Sequence, residues 1–309
     1  MRAVVQETFG GPEVLKIREV PSPSALPTEL VVRVKAVGIN PVEVYIRSGR
    51  FPLIGQPPFI LGWDISGVVE SVVPGTNRFA VGDEVFGMPL FPRPANAYAE
   101  QVAAPSRQLS RKPRTLDHVH AAALPLAGLT AWQSLVDVAS VSSGNRVLVH
   151  AGGGGVGHIA VQIAKARGAY VIATASEGKR AFVQSLGVDE IVDYRRVDFS
   201  NTVHDIDVVL ETVGGDYGER SLKTLRPGGL LVTIVDRMNE RLAAKAKEAG
   251  FRFAAVSVEP DHVGLEQLTR LVEGGKLRIH VERTFPLEQA GEAHKFLTTS
   301  PKGKVVLTS

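Results

Sequence analysis

VHAGGGGVGH, residues 149–158, sets four consecutive glycines directly after a short apolar run. Glycine loses more backbone freedom on folding than any other residue, so such a run is unfavourable in helix and strand alike. Either the segment is a flexible turn, or something must approach its backbone closely. RVLVH (146–150) reads as a buried strand and GHIAVQIAKARG (157–168) as an amphipathic helix. Between them Gly152, Gly154 and Gly157 take the G-x-G-x-x-G spacing of a dinucleotide-binding turn. In that pattern Gly152 permits a tight turn, Gly154 lets a pyrophosphate reach the main chain, and Gly157 lets helix and strand pack closely. The helix N-terminus offers N–H groups and the positive end of a dipole to phosphates. A bare glycine turn is the alternative, and the order of the surrounding elements weighs against it.

The same rhythm continues downstream. YVIATA, GKRAFVQSLG, IVDY, VVLET, ERSLKTL, LLVTIV, LAAKAKEAG and FRFAAVSV alternate as strands and helices. Continuous apolar strands between amphipathic helices predict a parallel sheet buried on both faces. Upstream, residues 119–138 read as largely helical, with a break around Pro125 and Gly128. Before residue 110 the chain is β-rich, with alternating runs such as ELVVRVKAVGI and SGVVESVV between Pro and Gly turns. Prolines exclude long helices there, but Asn40 as cap and Pro41 as first helical residue predict a short one at 41–48. Beyond 260 a helix, a strand, a helix and a last strand, GKVVLTS, resume the style of the first region. The expected organisation is a β-rich domain over 1–117, a dinucleotide-binding domain over 118–260, and a C-terminal segment over 261–309 that returns to the first domain.

Composition narrows the class. At 309 residues two domains are the natural expectation, and 44% hydrophobic with 22% charged residues fits a soluble globular enzyme. No run approaches the roughly 20 apolar residues of a membrane span. MRAVVQETFG lacks the charged-then-apolar pattern of an export signal, so a cytoplasmic protein is expected. A net charge of +3, from 35 basic and 32 acidic residues, gives no electrostatic case for nucleic acid. The basic cluster Arg107–Arg114 is broken by Pro113 and reads as a solvated loop. The absence of cysteine excludes disulfides, thiolate catalysis and Cys-ligated metal.

The strand YVIATAS ends at Ser176, where an NAD-specific site carries an acidic residue for the ribose hydroxyls. Ser176 does not repel a 2′-phosphate. Lys179 and Arg180 stand one turn on, and Tyr194 and Arg195 follow the third strand. This set favours NADPH over NADH. Glu177 could take the acidic role instead, and a solvated helix face is the other reading of Lys179 and Arg180. None of the five tyrosines has a lysine four residues on, which removes the Tyr-x-x-x-Lys pair of short-chain dehydrogenases.

GINPVEVYIRSG (38–49), PPFILGWDISGVVESVVPGTNRFAVGDEVFG (57–87), LPLAGLTAWQSL (124–135), AGGGGVGHIAVQIAKARGA (151–169) and ETVGG (211–215) together carry a family likeness. They resemble the medium-chain dehydrogenase/reductases, in the zinc-free quinone oxidoreductase (zeta-crystallin-like) branch. The resemblance covers essentially the whole chain. It implies a GroES-like β-rich catalytic domain, a Rossmann domain with a doubly wound parallel sheet, NADPH in the cleft between them, and a homodimer. Zinc members place a Cys where Asn40 stands and Gly-His-Glu where Gly62-Trp63-Asp64 stand. Neither ligand set survives, His118 and His120 lack further ligands, and no metal is expected.

Without a Lewis acid, hydride addition to an activated alkene is easier than reduction of a simple ketone. The conjugated carbonyl spreads the charge, and the enolate needs only hydrogen-bond donors. The resemblance points the same way, to hydride transfer from NADPH to a quinone or to the C=C of an α,β-unsaturated carbonyl. Asn40 and Tyr45 match polar positions that line the nicotinamide pocket, Asn40 to donate its amide and Tyr45 a hydrogen bond or a proton. A helix cap and a half-buried aromatic are their plain alternatives, and Asp64 reads as structural. The family pattern also puts Thr130, Val156, Thr212 and Val213 along the cofactor and Lys304 near its nicotinamide end. Phe51, Phe59, Trp63 and Phe91 are candidates for an aromatic wall.

Two other functions stay open. An enoyl-thioester reductase, acting on a CoA or carrier-bound chain, would use Arg47, Arg50 and Arg93 as entrance residues. A non-catalytic NADPH-binding protein would need only the cofactor loop. FRFAAVSV (251–258) reads as an apolar edge strand that would pair with its twin in a dimer.

Overall fold

The parallel sheet expected around the glycine run is present in the computed structural model, which describes residues 1–75 and 78–309. Thr76 and Asn77, inside the 57–87 stretch, lie outside the described residues. Among the described residues six strands pair in the order Glu190–Asp193, Tyr170–Ala175, Arg146–Val149, Ile206–Glu211, Leu225–Thr233 and Arg252–Ala255, all parallel. In chain order this is 3-2-1-4-5-6, a doubly wound sheet whose direction of growth reverses at the first strand. Leu148, Ile172, Val209 and Leu231 from these strands meet Phe199, Leu222 and Leu242 in one core. Each such side chain, fully buried, stabilises by about 1.5–3 kcal/mol relative to exposure. The edge strand is shorter than the apolar run that suggested it, because only Arg252–Ala255 pairs.

This sheet belongs to a unit formed by Thr130–Val258 and Gly274–Arg278; Met1–Leu129, Glu259–Glu273 and Ile279–Ser309 form the other. The first unit thus runs past 117 to Leu129. Residues 119–138 become two helices, His118–Ala122 and Pro125–Trp132, followed by a π-helical stretch, Gln133–Val138. The break lies at Ala123–Leu124 and not at Gly128. Pro125 opens a helix, where a missing N–H has no partner to lose. Gly128 sits inside that helix because a Cβ there would stand 2.7 Å from Leu124 and 2.8 Å from Leu268.

In the first unit, the described residues form a seven-stranded sheet. Its main path is Val281–Pro286, Lys304–Thr308, Glu29–Ile39, Asp64–Val72, Glu84–Gly87 and Leu109–Arg111, with Gln101–Pro105 also on Glu29–Ile39. The last strand is antiparallel to Glu29–Ile39, with Val305 opposite Ile39. That register carries Lys304 to the level of Asn40, just past the ladder. On the other side Gly38 lies opposite Asp64. Two ladders therefore deliver Asn40, Asp64 and Lys304 to one place. Among the described residues no helix is long and apolar enough to cross a membrane.

Candidate active site

The glycine turn follows strand Arg146–Val149 and leads into helix Gly157–Ala166, capped by Val156 without a side-chain bond. Gly157 and Gly152 are sterically required, and Gly154 is tightly enclosed. A Cβ on Gly157 would stand 2.1 Å from the Ala151 carbonyl oxygen, one on Gly152 2.7 Å from the Ala173 Cβ, and one on Gly154 3.2 Å from the Ala151 oxygen. The positive φ in this turn falls on Ala151, at 49°, and on none of the three glycines. They serve close approach, of helix to turn and of turn to strand Tyr170–Ala175. A backbone cradle stripped of side chains at a helix N-terminus fits a pyrophosphate.

The other expected contact residues, Thr130, Ser176, Lys179, Tyr194, Thr212 and Val213, belong to the same unit. Ser176 ends strand Tyr170–Ala175 and precedes a short 3-10 turn, Glu177–Lys179. Lys179 lies along the turn, its Cδ 3.0 Å from where a Gly153 Cβ would be. Glu177 is engaged by Arg180, with Nε 3.1 Å from its carboxylate, which lessens its claim to the acidic role. Tyr194 is 38% exposed, and the Arg195 guanidinium stands 5.8 Å from its ring centre. The Thr212 hydroxyl donates to the His150 carbonyl at 2.8 Å, and Val213 is exposed. Thr130 is buried.

Sequence reasoning missed Glu211. Its carboxylate accepts the N–H groups of Val213 at 2.5 Å and Gly214 at 2.6 Å, and the Thr233 hydroxyl at 2.9 Å. It thereby pins the turn that carries Thr212 and Val213.

In the first unit Asn40 caps helix Pro41–Arg47 and is itself buried. Its side chain is engaged at both ends. Lys304 Nζ donates to Asn40 Oδ1 at 2.5 Å, and Asn40 Nδ2 donates to Asp64 Oδ2 at 3.0 Å. Lys304 Nζ also lies 3.5 Å from Asp64 Oδ2, and the Leu126 N–H donates to Asp64 Oδ1 at 2.8 Å. Burial raises the Asp64 pKa, and the Lys304 charge opposes that rise. Asp64 thus orients its neighbours, in keeping with a structural role.

Behind Asn40 stands a second buried group that the sequence did not reveal. Glu43 accepts the Asn40 backbone N–H at 2.8 Å and the Tyr98 hydroxyl at 2.8 Å; that hydroxyl is also 2.8 Å from His294 Nε2. Burial pushes Glu43 up to about 7, against the pull of the Asn40 N–H and the Tyr98 hydroxyl. Burial, with Arg47 nearby, takes His294 down to about 3. The one available signal was the acidic residue three positions after a capping Asn. Tyr98 and His294 carried none.

Other candidates scatter. Tyr45 is 50% exposed and is not a core aromatic. Arg47 is buried, with Nε 3.3 Å from the Gly10 carbonyl, so it is no entrance residue; Arg50 and Arg93 are exposed. Trp63 belongs to the core, its indole donating to the Arg93 carbonyl at 2.7 Å and its ring edge-to-face with Phe91 at 5.1 Å. Phe59 pairs instead with Phe9 at 6.1 Å, and Phe51 is exposed. His118 bridges Ser66 and Glu84, while His120 pairs with Asp117. Among the described residues no three His, Cys, Asp or Glu side chains converge as metal ligands.

Comparison with known proteins agrees with this architecture. Residues 26–114 match the family model of the alcohol dehydrogenase GroES-like domain, and residues 186–307 that of a zinc-binding dehydrogenase. A 2-haloacrylate reductase from Burkholderia sp is 35% identical over 96% of this chain and 95% of its own length. The structure of the quinone oxidoreductase from Coxiella burnetii superposes with a TM-score of 0.94 at 36% identity, covering 100% of this chain and 99% of that one. Escherichia coli quinone oxidoreductase complexed with NADPH superposes with a TM-score of 0.90 at 27% identity, covering 100% of both chains.

Proposed function

The chain belongs to the quinone oxidoreductase-like medium-chain dehydrogenase/reductases, and on that premise we propose that it is an NADPH-dependent reductase of quinones or of the C=C of α,β-unsaturated carbonyl compounds. The observation that carries this reading is the glycine turn of a doubly wound sheet, where Gly152 and Gly157 admit no side chain and Gly154 has little room for one. NADPH, when bound, supplies the hydride. Gly152, Gly154, Val156 and Gly157 would hold its pyrophosphate, Ser176, Lys179 and Tyr194 its 2′-phosphate, and Thr130, Thr212 and Val213 the remainder. The likeness to an NADPH-complexed quinone oxidoreductase and to a haloacrylate reductase, whose substrate is a conjugated acid, supports both halves of the proposal.

On the first unit the roles of Asn40 and Lys304 are best exchanged. The Asn40 amide accepts from Lys304 and directs its two N–H groups to Asp64 Oδ2 at 3.0 Å and Glu43 Oε1 at 3.5 Å, so it orients its neighbours and does not donate to substrate. An ammonium carries three N–H donors. Two of those of Lys304 are directed to Asn40 and Asp64, which leaves a third for the oxygen of a developing enolate or hydroquinone. Tyr45, with its exposed ring, is the proton donor. Lys304 also sets a positive charge beside Asn40 and Asp64, two positions where zinc members of the family carry other residues, which favours zinc-independent chemistry. Burial of Arg47 leaves Arg50 and Arg93 as entrance candidates for the thioester alternative, which stays open. Arg252–Ala255 at the sheet edge is the surface through which a homodimer would form, and a monomer in light scattering would remove that part.

The reading is tested by titrating the protein with NADPH and NADH, following nicotinamide fluorescence, then adding 1,4-benzoquinone or a simple enone. Tight binding of NADPH over NADH with prompt oxidation is the expected result. Binding without oxidation by either acceptor would overturn the reductase assignment. Absence of binding would reduce the glycines to a turn.

A further inference from the structure

His150 directly precedes the glycine turn and has no place in the roles assigned above. We propose that, as a neutral imidazole protonated on Nε2, it is a positioning residue that locks together the main-chain segments on which the cofactor rests; the proposal itself rests on the NADPH reading.

The hydrogen bonds have a direction that can be worked out. The Ser221 hydroxyl donates to the Tyr217 carbonyl at 2.6 Å, so its hydrogen is used. At 2.9 Å from His150 Nε2 its oxygen can only accept, which puts the ring proton on Nε2. A neutral ring then has a bare Nδ1, and this accepts the Thr174 hydroxyl at 3.2 Å. The same Thr174 oxygen accepts the Ala151 N–H at 3.0 Å. One directed line thus runs from the Ala151 N–H through Thr174 and His150 to Ser221 and Tyr217. The His150 carbonyl adds the Thr212 hydroxyl at 2.8 Å.

The members of this line matter. Ala151 begins the turn and holds φ at 49°, a left-handed conformation that a non-glycine residue keeps only where its surroundings over-determine it. Thr174 stands two residues before Ser176, and Thr212 lies in the loop after strand Ile206–Glu211. The imidazole therefore ties Thr174, on the 2′-phosphate strand and bonded to Ala151 of the pyrophosphate turn, to Ser221 on helix Tyr217–Leu222, while the main-chain carbonyl of the same residue holds Thr212. Its surroundings keep it neutral. The ring is 0% exposed, edge-on to Phe199 at 4.6 Å and to Tyr217 at 5.1 Å. The Arg220 guanidinium lies over those same two rings, at 4.5 and 5.3 Å. Burial and that positive charge hold the His150 pKa down to about 3. A proton on Nδ1 would aim a donor at the Thr174 hydroxyl and break the line.

Packing alone would be met by phenylalanine, which separates the two roles. His150→Phe keeps an aromatic ring and removes both hydrogen bonds; Thr174→Val keeps the shape and removes the hydroxyl. Each is expected to weaken NADPH binding, read by fluorescence titration, by about tenfold or more, with the double variant no weaker than the worse single. Imidazole nitrogen NMR of the full chain should show the Nε2-protonated form persisting on the acid side of neutrality. A His150→Phe protein that binds NADPH like the wild type would overturn the proposal, whatever its thermal stability, as would penalties that simply multiply in the double variant. Failure of the wild type to bind NADPH would remove the cofactor reading and the proposal together; wild-type binding with an unaffected variant removes the proposal alone.

Discussion

The glycine turn takes its residues from ten consecutive positions, 149–158, whereas the Asn40–Lys304 cluster gathers side chains from opposite ends of the chain. The first is a site made by leaving side chains out. Its shape follows from local sterics, and its partners, the neighbouring strand and helix, are adjacent in sequence. The second is made by putting charges in, and it exists only because two ladder registers bring strand ends together. The comparison teaches that a backbone site is robust to what surrounds it but intolerant of any added atom. A buried ionic site tolerates changes of shape but not the loss of one partner.

Substitutions can break each half separately. The largest effect is expected from Lys304→Met, which leaves the Asp64 carboxylate buried without its cation. It should lower stability by about 3–5 kcal/mol in thermal unfolding, and Asp64→Asn added to it should restore part of the loss. A change of only a few tenths would mean that Asp64 is neutral in the fold. Gly157→Val attacks the other half by forcing a Cβ into the Ala151 carbonyl. NADPH affinity should fall about a hundredfold, with about 1–3 kcal/mol of stability lost to overpacking. Unchanged binding would show that the turn can relax, and the contrast would fail.

Glu43→Gln sharpens the electrostatic half. Burial raises Glu43 from an ordinary 4.5 to about 7 in the fold. Between these values the folded chain keeps a proton that the unfolded chain has released. The contribution of Glu43 to stability is therefore present below pH 4.5 and is lost as the pH rises through about 7. Relative to the wild type, the variant should gain about 1–3 kcal/mol across that window, measured as thermal unfolding against pH. Parallel profiles would show that the Asn40 and Tyr98 bonds offset the burial. The smallest effect is expected from Lys179→Ala, which should weaken NADPH by about tenfold and NADH by less than about twofold. Equal losses for both nucleotides would mean that Lys179 serves the turn and not the 2′-phosphate.

Legibility in the sequence followed the same division. The strand, the turn and the helix around Gly152 were readable because hydrophobic period and glycine spacing act over a few residues. The short helix after Asn40 was readable from its cap and from Pro41, and it appears as Pro41–Arg47. The break before Pro125 was readable, but Gly128 was misread as part of it, since a glycine kept for close packing inside a helix looks like one that ends a helix. Arg47 was misread as an entrance residue because a charge in a short amphipathic stretch gives no sign of being buried. The partners of Asp64, namely Asn40, Leu126 and Lys304, were not foreseen.

The sequence by itself determined the parallel sheet buried on both faces, the glycine turn and the neighbouring positions Ser176 and Lys179. These depend on periodicity and on sterics between near neighbours. Only the tertiary structure decided that the Lys304 ammonium closes on Asn40, 264 positions away, and that Glu43 meets Tyr98 and His294. It also decided that His150 links Thr174 to Ser221. Such contacts are fixed by ladder register and core packing, and a single chain read in order contains neither until its strands have paired.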